Sequence, residues 1–193
     1  MSHPIQLVWF KRDLRVSDHR PLFEAAQRGA VLPLYIIEPD VLHAADYAAR
    51  HYLFTRDCLL ALRDNLAALG MPLIVRYGAA LDVLQTLHDE LTLAALWSHE
   101  ETGSDVTYAR DRAVRHWAKA NGIPFVEYPN GGVVRRLRDR DEWAGIAQAR
   151  MDAAIVPTPN ALRPVENIEP GPIPELDALD LPHDPIQSVQ KGG

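Results

Sequence analysis

The chain has 193 residues, 47% of them hydrophobic and 24% charged, with a net charge of −6; it can bury a core, which excludes disordered and fibrous classes. A single cysteine, Cys58, excludes an internal disulfide framework and a four-cysteine metal site. No apolar run is long enough to span a bilayer, and the start MSHPIQLVWF lacks a signal-peptide pattern, so a reducing cytoplasm and no membrane partner are expected.

Five short apolar runs, Ile5–Phe10, Ala30–Ile37, Leu73–Arg76, Leu93–Ser98 and Ile123–Tyr128, read as strands of the kind buried in parallel sheets. After the first, Asp18 offers an N-cap, Pro21 fits a first turn and Gly29 closes the segment, predicting a helix from His19 to Arg28. Between the second and third runs, Leu53, Leu59, Leu62, Leu66 and Leu69 keep helical spacing over Tyr47–Leu69, ended by Gly70 and Pro72. Ala80–Leu91 and Ser104–Asn121 supply two more helices. Strict β/α alternation predicts a Rossmann-like doubly wound five-stranded parallel sheet with helices on both faces, an α/β fold.

Charge and proline divide the chain. Residues 1–151 carry 18 Lys/Arg against 19 Asp/Glu, whereas residues 152–193 carry 2 against 7 and hold 8 of the 15 prolines. Residues 1–151 are therefore expected to form the α/β domain and residues 152–193 a Pro-rich acidic linker.

In such sheets ligands bind beyond the carboxyl ends of the strands. The glycine-rich phosphate loops of dinucleotide and P-loop sites are absent. Instead the first strand runs into WFKRDLRVSD (Trp9–Asp18), five charged residues in ten. Taken alone, this segment reads equally as a solvated loop with internal ion pairs. Asp13, between basic residues, is expected to form a structural ion pair. His99 at a strand end, without partners at ligand spacing, is expected to be an ordinary hydrogen-bonded residue, and no metal site is assigned. Cys58 is expected to be a small buried hydrophobe between Phe54 and Leu62, and Trp97 and Trp117 to be packing residues. The Arg135–Arg140 run, offset by Asp139, Asp141 and Glu142, is expected to be solvated or interdomain surface rather than a nucleic-acid patch.

The pattern V-W-F-[KR]-x-D-L-R-[VL]-x-D resembles the opening of DNA photolyases and cryptochromes. The likeness continues in order through VLPLYIIEP (31–39), the helix to Leu69 with GMPLIVR (70–76), and LWSHEE (96–101) followed by Arg110-Asp111-Arg112. It covers residues 5–140; beyond them the chain departs from the family's Thr-Pro-Phe segment. The resemblance implies an N-terminal domain holding an antenna pigment (a folate, a deazaflavin or FMN). The FAD-binding helical domain that repairs pyrimidine dimers in damaged DNA, or signals, is then expected to lie outside these residues, so no catalytic residue is assigned. The expected pigment contacts are Phe10, Lys11, Arg12 and Arg15 after the first strand, Ile37, Glu38 and Asp40 after the second, and His99, Glu100 and Glu101 after the fourth. Glu100 or Glu101 would accept ring N–H groups, and Arg12 or Arg15 would pair a phosphate or carboxylate. The rival reading is a stand-alone nucleotide-binding α/β protein of universal-stress or ATP-pyrophosphatase type.

Overall fold

The structure, a computed structural model, describes residues 3–135, 137–181 and 190–193. Arg136 of the arginine run and residues 182–189 of the Pro-rich segment lie outside the described residues. The described chain runs β1 (Ile5–Phe10), α1 (Arg20–Ala26), β2 (Ala30–Ile37), α2 (Pro39–Leu42), α3 (Ala49–Ala68), β3 (Ile74–Tyr77), α4 (Ala80–Leu91), β4 (Leu93–His99), α5 (Asp105–Ala120), β5 (Phe125–Tyr128) and α6 (Trp143–Met151).

The strands form one parallel sheet in the order β3-β2-β1-β4-β5. Chain order runs outward from β1 to β3 on one side, then crosses to β4 and β5 on the other. Right-handed crossovers therefore place the helices of the two halves on opposite faces, as expected for a doubly wound sheet. β1 is central and its side chains from Leu7 to Phe10 are fully or almost fully buried. Both faces are covered, which is why β1 and β2 read as continuous apolar runs rather than alternating ones.

Three local departures have clear causes. α1 is capped by His19, whose Nδ1 accepts the Leu22 N–H at 3.1 Å. Asp18, the expected cap, sits at φ 48° and faces the other way, its N–H donating to the Val156 carbonyl and its Oδ1 accepting the Val156 N–H. Gly29 is required by packing rather than by the helix end, since a Cβ there would meet the Pro4 carbonyl oxygen at 2.0 Å. The segment expected as one helix over Tyr47–Leu69 starts at Ala49, after the separate short helix α2.

The Pro-rich segment packs on the domain. Leu162, Val165 and Leu179 join the hydrophobic core. Leu162 N–H donates to Leu69, the Arg163 carbonyl accepts from Val31 and the Pro170 carbonyl from Val75. Gly171 passes β3 at φ 76° with its Cα so near the Val75 carbonyl that a Cβ would lie 2.3 Å from that oxygen.

Leu162 is 4% exposed and belongs to the core, so its truncation leaves a cavity there. Leu162→Ala is expected to lower unfolding free energy by about 2–4 kcal/mol. Urea denaturation measures this; a loss of less than about 0.5 kcal/mol, typical of surface positions, would mean the segment is not part of the fold.

Candidate functional site

Beyond the carboxyl ends of β1 and β2 the chain encloses a cavity of about 610 Å³. Its walls come from Trp9–Arg12 at the end of β1, Tyr35–Glu38 at the end of β2, the α2–α3 connection with Tyr47, the first turns of α3, and the start of α5 with Ser104, Thr107 and Arg110. The volume lies within the range of small-molecule sites, and the mix of aromatic walls with a few charged groups is what such sites use.

The site is framed by two buried charge clusters. In the first, Asp13 Oδ2 accepts from His19 Nε2 at 2.8 Å and from His99 Nδ1 at 2.5 Å, while Asp13 Oδ1 accepts the Lys11 backbone N–H at 2.9 Å. All three side chains are buried. Burial alone would raise the Asp13 pKa, but the hydrogen bonds from His19 and His99 outweigh it and hold it well below the ordinary carboxylate value. Burial also lowers the His19 pKa, against the pull of Asp13. Asp13 thus forms a structural pair, as expected, and its partners are two histidines, one at the start of α1 and one at the end of β4. His99, expected to lack partners at ligand spacing, has two nearby: one ligand-capable atom each of Asp13, His19 and His99 lie within 4.8 Å of one another. His19 Nδ1 accepts the cap bond, so its proton sits on Nε2 and is spent on Asp13; a cation at Nε2 would have to break that arrangement.

The second cluster centres on Arg110 and Asp111. Arg110 donates to Glu38 at 2.5 Å, to Asp111 at 2.9 Å and to Glu101 at 3.3 Å. Lys11, 5% exposed, pairs with Asp111 at 2.9 Å. Arg135 donates to Glu127 at 2.9 Å, to Asp111 at 3.3 Å and to the Glu101 carbonyl. Burial favours neutral Glu38 and raises its pKa, with Arg110 opposing. Asp111 shifts down: burial raises it, but Lys11 and Arg110 together win. Arg135 is therefore an internal tie between β5, α5 and the loop after β4, whereas the run was expected to be solvated or interdomain surface.

Of the ten residues named from sequence, Phe10, Lys11, Arg12, Arg15, Ile37, Glu38 and Glu101 line the cavity. Several of them also pair within the protein. Lys11, Glu38 and Glu101 are already paired within the second cluster, and Glu101 Oε1 also accepts the Thr102 and Gly103 N–H groups. Arg12 is 66% exposed and 3.6 Å from Glu101, leaving most of its guanidinium toward solvent at the rim. Arg15 donates to the Asp18 carbonyl. His99 is committed to Asp13 and lies outside the cavity lining, as does Glu100, whose Oε2 is buried without a hydrogen-bond partner among the described residues. Asp40 instead faces a second cavity of about 480 Å³ between α2, α4 and α5, lined by Ala79, Ala80, Val106 and Ala109 and sharing Glu38, Val41 and Arg110 with the first.

Sequence reading missed Trp9, Tyr35, Tyr47, Tyr52, Thr107 and Arg110 as cavity wall. The strand-end rule reached Trp9 and Tyr35 in principle, because both sit one turn of the pleat before the loops that were chosen. Cys58 is half-buried and lines the cavity instead of packing in the core.

Both shifts in the first cluster have one sign. The unfolded chain binds more protons than the folded one, so stability is complete above about pH 6.5 and falls on acidification, first through His19 and then through Asp13. Asp13→Asn is expected to cost about 3 kcal/mol or more by leaving buried donors mispaired and, because Asp13 opposes the burial that lowers His19, to steepen the loss of stability on acidification below about pH 6.5. Denaturant melts between pH 8 and 4 test this; stability that rises on acidification would contradict the charge assignment.

Residues 6–139 match the DNA photolyase family. The chain is 29% identical over 145 residues to a chloroplastic/mitochondrial cryptochrome DASH of Oryza sativa subsp. japonica, covering 71% of this chain and 24% of that protein. It is 29% identical over 205 residues to a cryptochrome DASH of Gloeobacter violaceus, covering 94% and 39%. Among solved structures, a Synechocystis cryptochrome superposes with a TM-score of 0.78 at 19% identity, over 100% of this chain and 44% of that one. An archaeal photolyase from Sulfolobus tokodaii, described with two FAD molecules and a novel light-harvesting cofactor, superposes with a TM-score of 0.75 at 21% identity, over 98% and 44%. The chain spans between a quarter and two fifths of the length of these curated relatives. With the family match over most of β1 to β5 and the doubly wound sheet in agreement, this chain belongs to the DNA photolyase and cryptochrome family, as its N-terminal α/β domain.

Proposed function

We propose that this domain binds the antenna pigment of a light-driven photolyase or cryptochrome, and that the large cavity beyond β1 and β2 is the pigment site. The observation that carries the reading is the cavity itself, about 610 Å³ with Trp9, Tyr35, Tyr47 and Tyr52 in its walls and Arg12 at its rim. A flat conjugated ring needs apolar or aromatic surfaces on its faces and a few oriented polar groups at its edge. When bound, such a pigment absorbs light and passes the excitation on.

The protein's part is to seat and orient the ring. Tyr35 and Tyr47 offer faces for stacking, and the Ser104 and Thr107 hydroxyls offer edge hydrogen bonds. Arg12, the most exposed cation of the rim, meets a phosphate or carboxylate tail. The pigment class is a flavin, deazaflavin or folate; the two FAD molecules and novel light-harvesting cofactor described for the Sulfolobus tokodaii photolyase support the flavin side of that range. Residues 152–193 lead toward a FAD-binding helical domain, which would carry the photochemistry and the contacts to damaged DNA. The near balance of charge in residues 1–151 fits a domain that leaves phosphate binding to its partner. A cytoplasmic setting accords with the single cysteine. The rival nucleotide-binding reading finds no support, since residues 6–139 match the photolyase family.

Titration of the purified chain with FMN, FAD, a deazaflavin and a folate, followed by visible and near-UV absorbance, tests the reading. At least one is expected to bind in the micromolar range or tighter. Ala44→Trp, which fills the cavity from its α2–α3 wall, is expected to weaken that ligand at least tenfold, about 1.4 kcal/mol. Unchanged affinity in that variant would place the ligand elsewhere, and no binding by any pigment would end the antenna reading.

A further inference from the structure

Four electron-rich rings stand in the wall of the large cavity: Trp9, Tyr35, Tyr47 and Tyr52. A photoexcited ring seated against them is a strong oxidant. Taking an electron from any of the four would end the excited state before its energy could be passed on.

The tyrosines resist this through their protons. Burial pushes the Tyr35 and Tyr47 phenols up and carries Tyr52 to about 12. Oxidation of a phenol is accompanied by proton loss, and the Tyr52 hydroxyl donates at 2.7 Å to the Pro174 carbonyl, which is not a base. An indole has no such restraint, because it can give up an electron while keeping its proton. Trp9 is therefore the weak point of the wall.

Trp9 is also where cations are placed. Lys11 Nζ lies 5.0 Å and Arg110 Cζ 4.7 Å from its ring centroid. The ring is 1% exposed, so water screens these charges little. Asp111 and Glu38 hold the two cations in place. A cation over an indole is attracted to the neutral ring but repels the positive ring that oxidation would create.

We propose that Lys11 and Arg110 are an electrostatic guard on Trp9, disfavouring its radical cation and so preserving the excited state of a pigment in the cavity. The proposal rests on the antenna reading. The step held back is the passage of one electron from the indole to the excited ring, giving an indole radical cation and a one-electron-reduced ring. No proton moves, and return of the electron restores both partners with the light energy lost as heat.

The test loads the full chain with FMN, or with the deazaflavin if that binds more tightly, and records time-resolved fluorescence. Lys11→Met is combined with Asp111→Asn so that neither charge of the pair is left alone. The lifetime is expected to shorten at least threefold in that double variant. Adding Trp9→Phe is expected to restore it, which a merely structural disturbance would not allow. Trp9→Phe alone, which alters no charge, is expected to leave the lifetime close to the wild-type value. A several-fold longer lifetime in Trp9→Phe would show that Trp9 already quenches and would overturn the guard. So would an unchanged lifetime in the double variant, or a shortened one that Trp9→Phe does not restore. These results leave pigment binding intact, whereas failure of every pigment to bind removes both readings.

Discussion

A single buried carboxylate organises the active edge of this sheet. Asp13 is 2% exposed, and an ionised group so placed must be surrounded by donors or it would not remain charged. Its donors come from three separate places: the backbone of its own loop at Lys11, the start of α1 at His19 and the end of β4 at His99. Satisfying it fixes the β1–α1 loop against β4, across the point where strand order reverses. His19 has a further duty, since the nitrogen not facing Asp13 caps α1.

With that loop held, Lys11 has one direction in which to extend, and it meets α5. The cluster it joins links five segments: the β1–α1 loop through Lys11, the end of β2 through Glu38, the loop after β4 through Glu101, α5 through Arg110 and Asp111, and β5 with its following loop through Glu127 and Arg135. Desolvating so many charges is costly unless each finds several partners, and Asp111 finds three cations. The reward is positional. Trp9, Tyr35 and Glu38 are held at set places in the cavity wall, where a loop of free side chains would leave the wall undefined.

The sheet was legible because each strand is a compact apolar run bounded by loop residues: β1 and β2 are the runs Ile5–Phe10 and Ala30–Ile37 as read. The site was legible only to the strand ends. WFKRDLRVSD marks the right loop, and Asp13 forms the structural pair expected of it, but its histidine partners and the tie from Lys11 to Asp111 were not legible there. Asp13 and His99 are 86 residues apart, and no local pattern reports a pairing at that distance. Arg135 failed for the same reason: it stands in a run of arginines that looks solvated, and its acceptors lie on β5, α5 and the loop after β4. Asp18 was a sound capping candidate by type, yet its bonds to Val156 belong to a segment that proline content had set apart from the domain.

That Pro-rich segment lies along β3, the outer strand on its side of the sheet. Val75 N–H, which points away from β2, is taken by the Pro170 carbonyl, and Arg63 reaches over to the Gly171 carbonyl. A bare outer strand is a template on which another chain can add itself and start a growing stack. Here the Val75 N–H is taken by the carbonyl of a proline, a residue with no N–H of its own to offer a further strand. The same prolines that look like a spacer in the sequence thus blunt this edge of the sheet as a template for another strand.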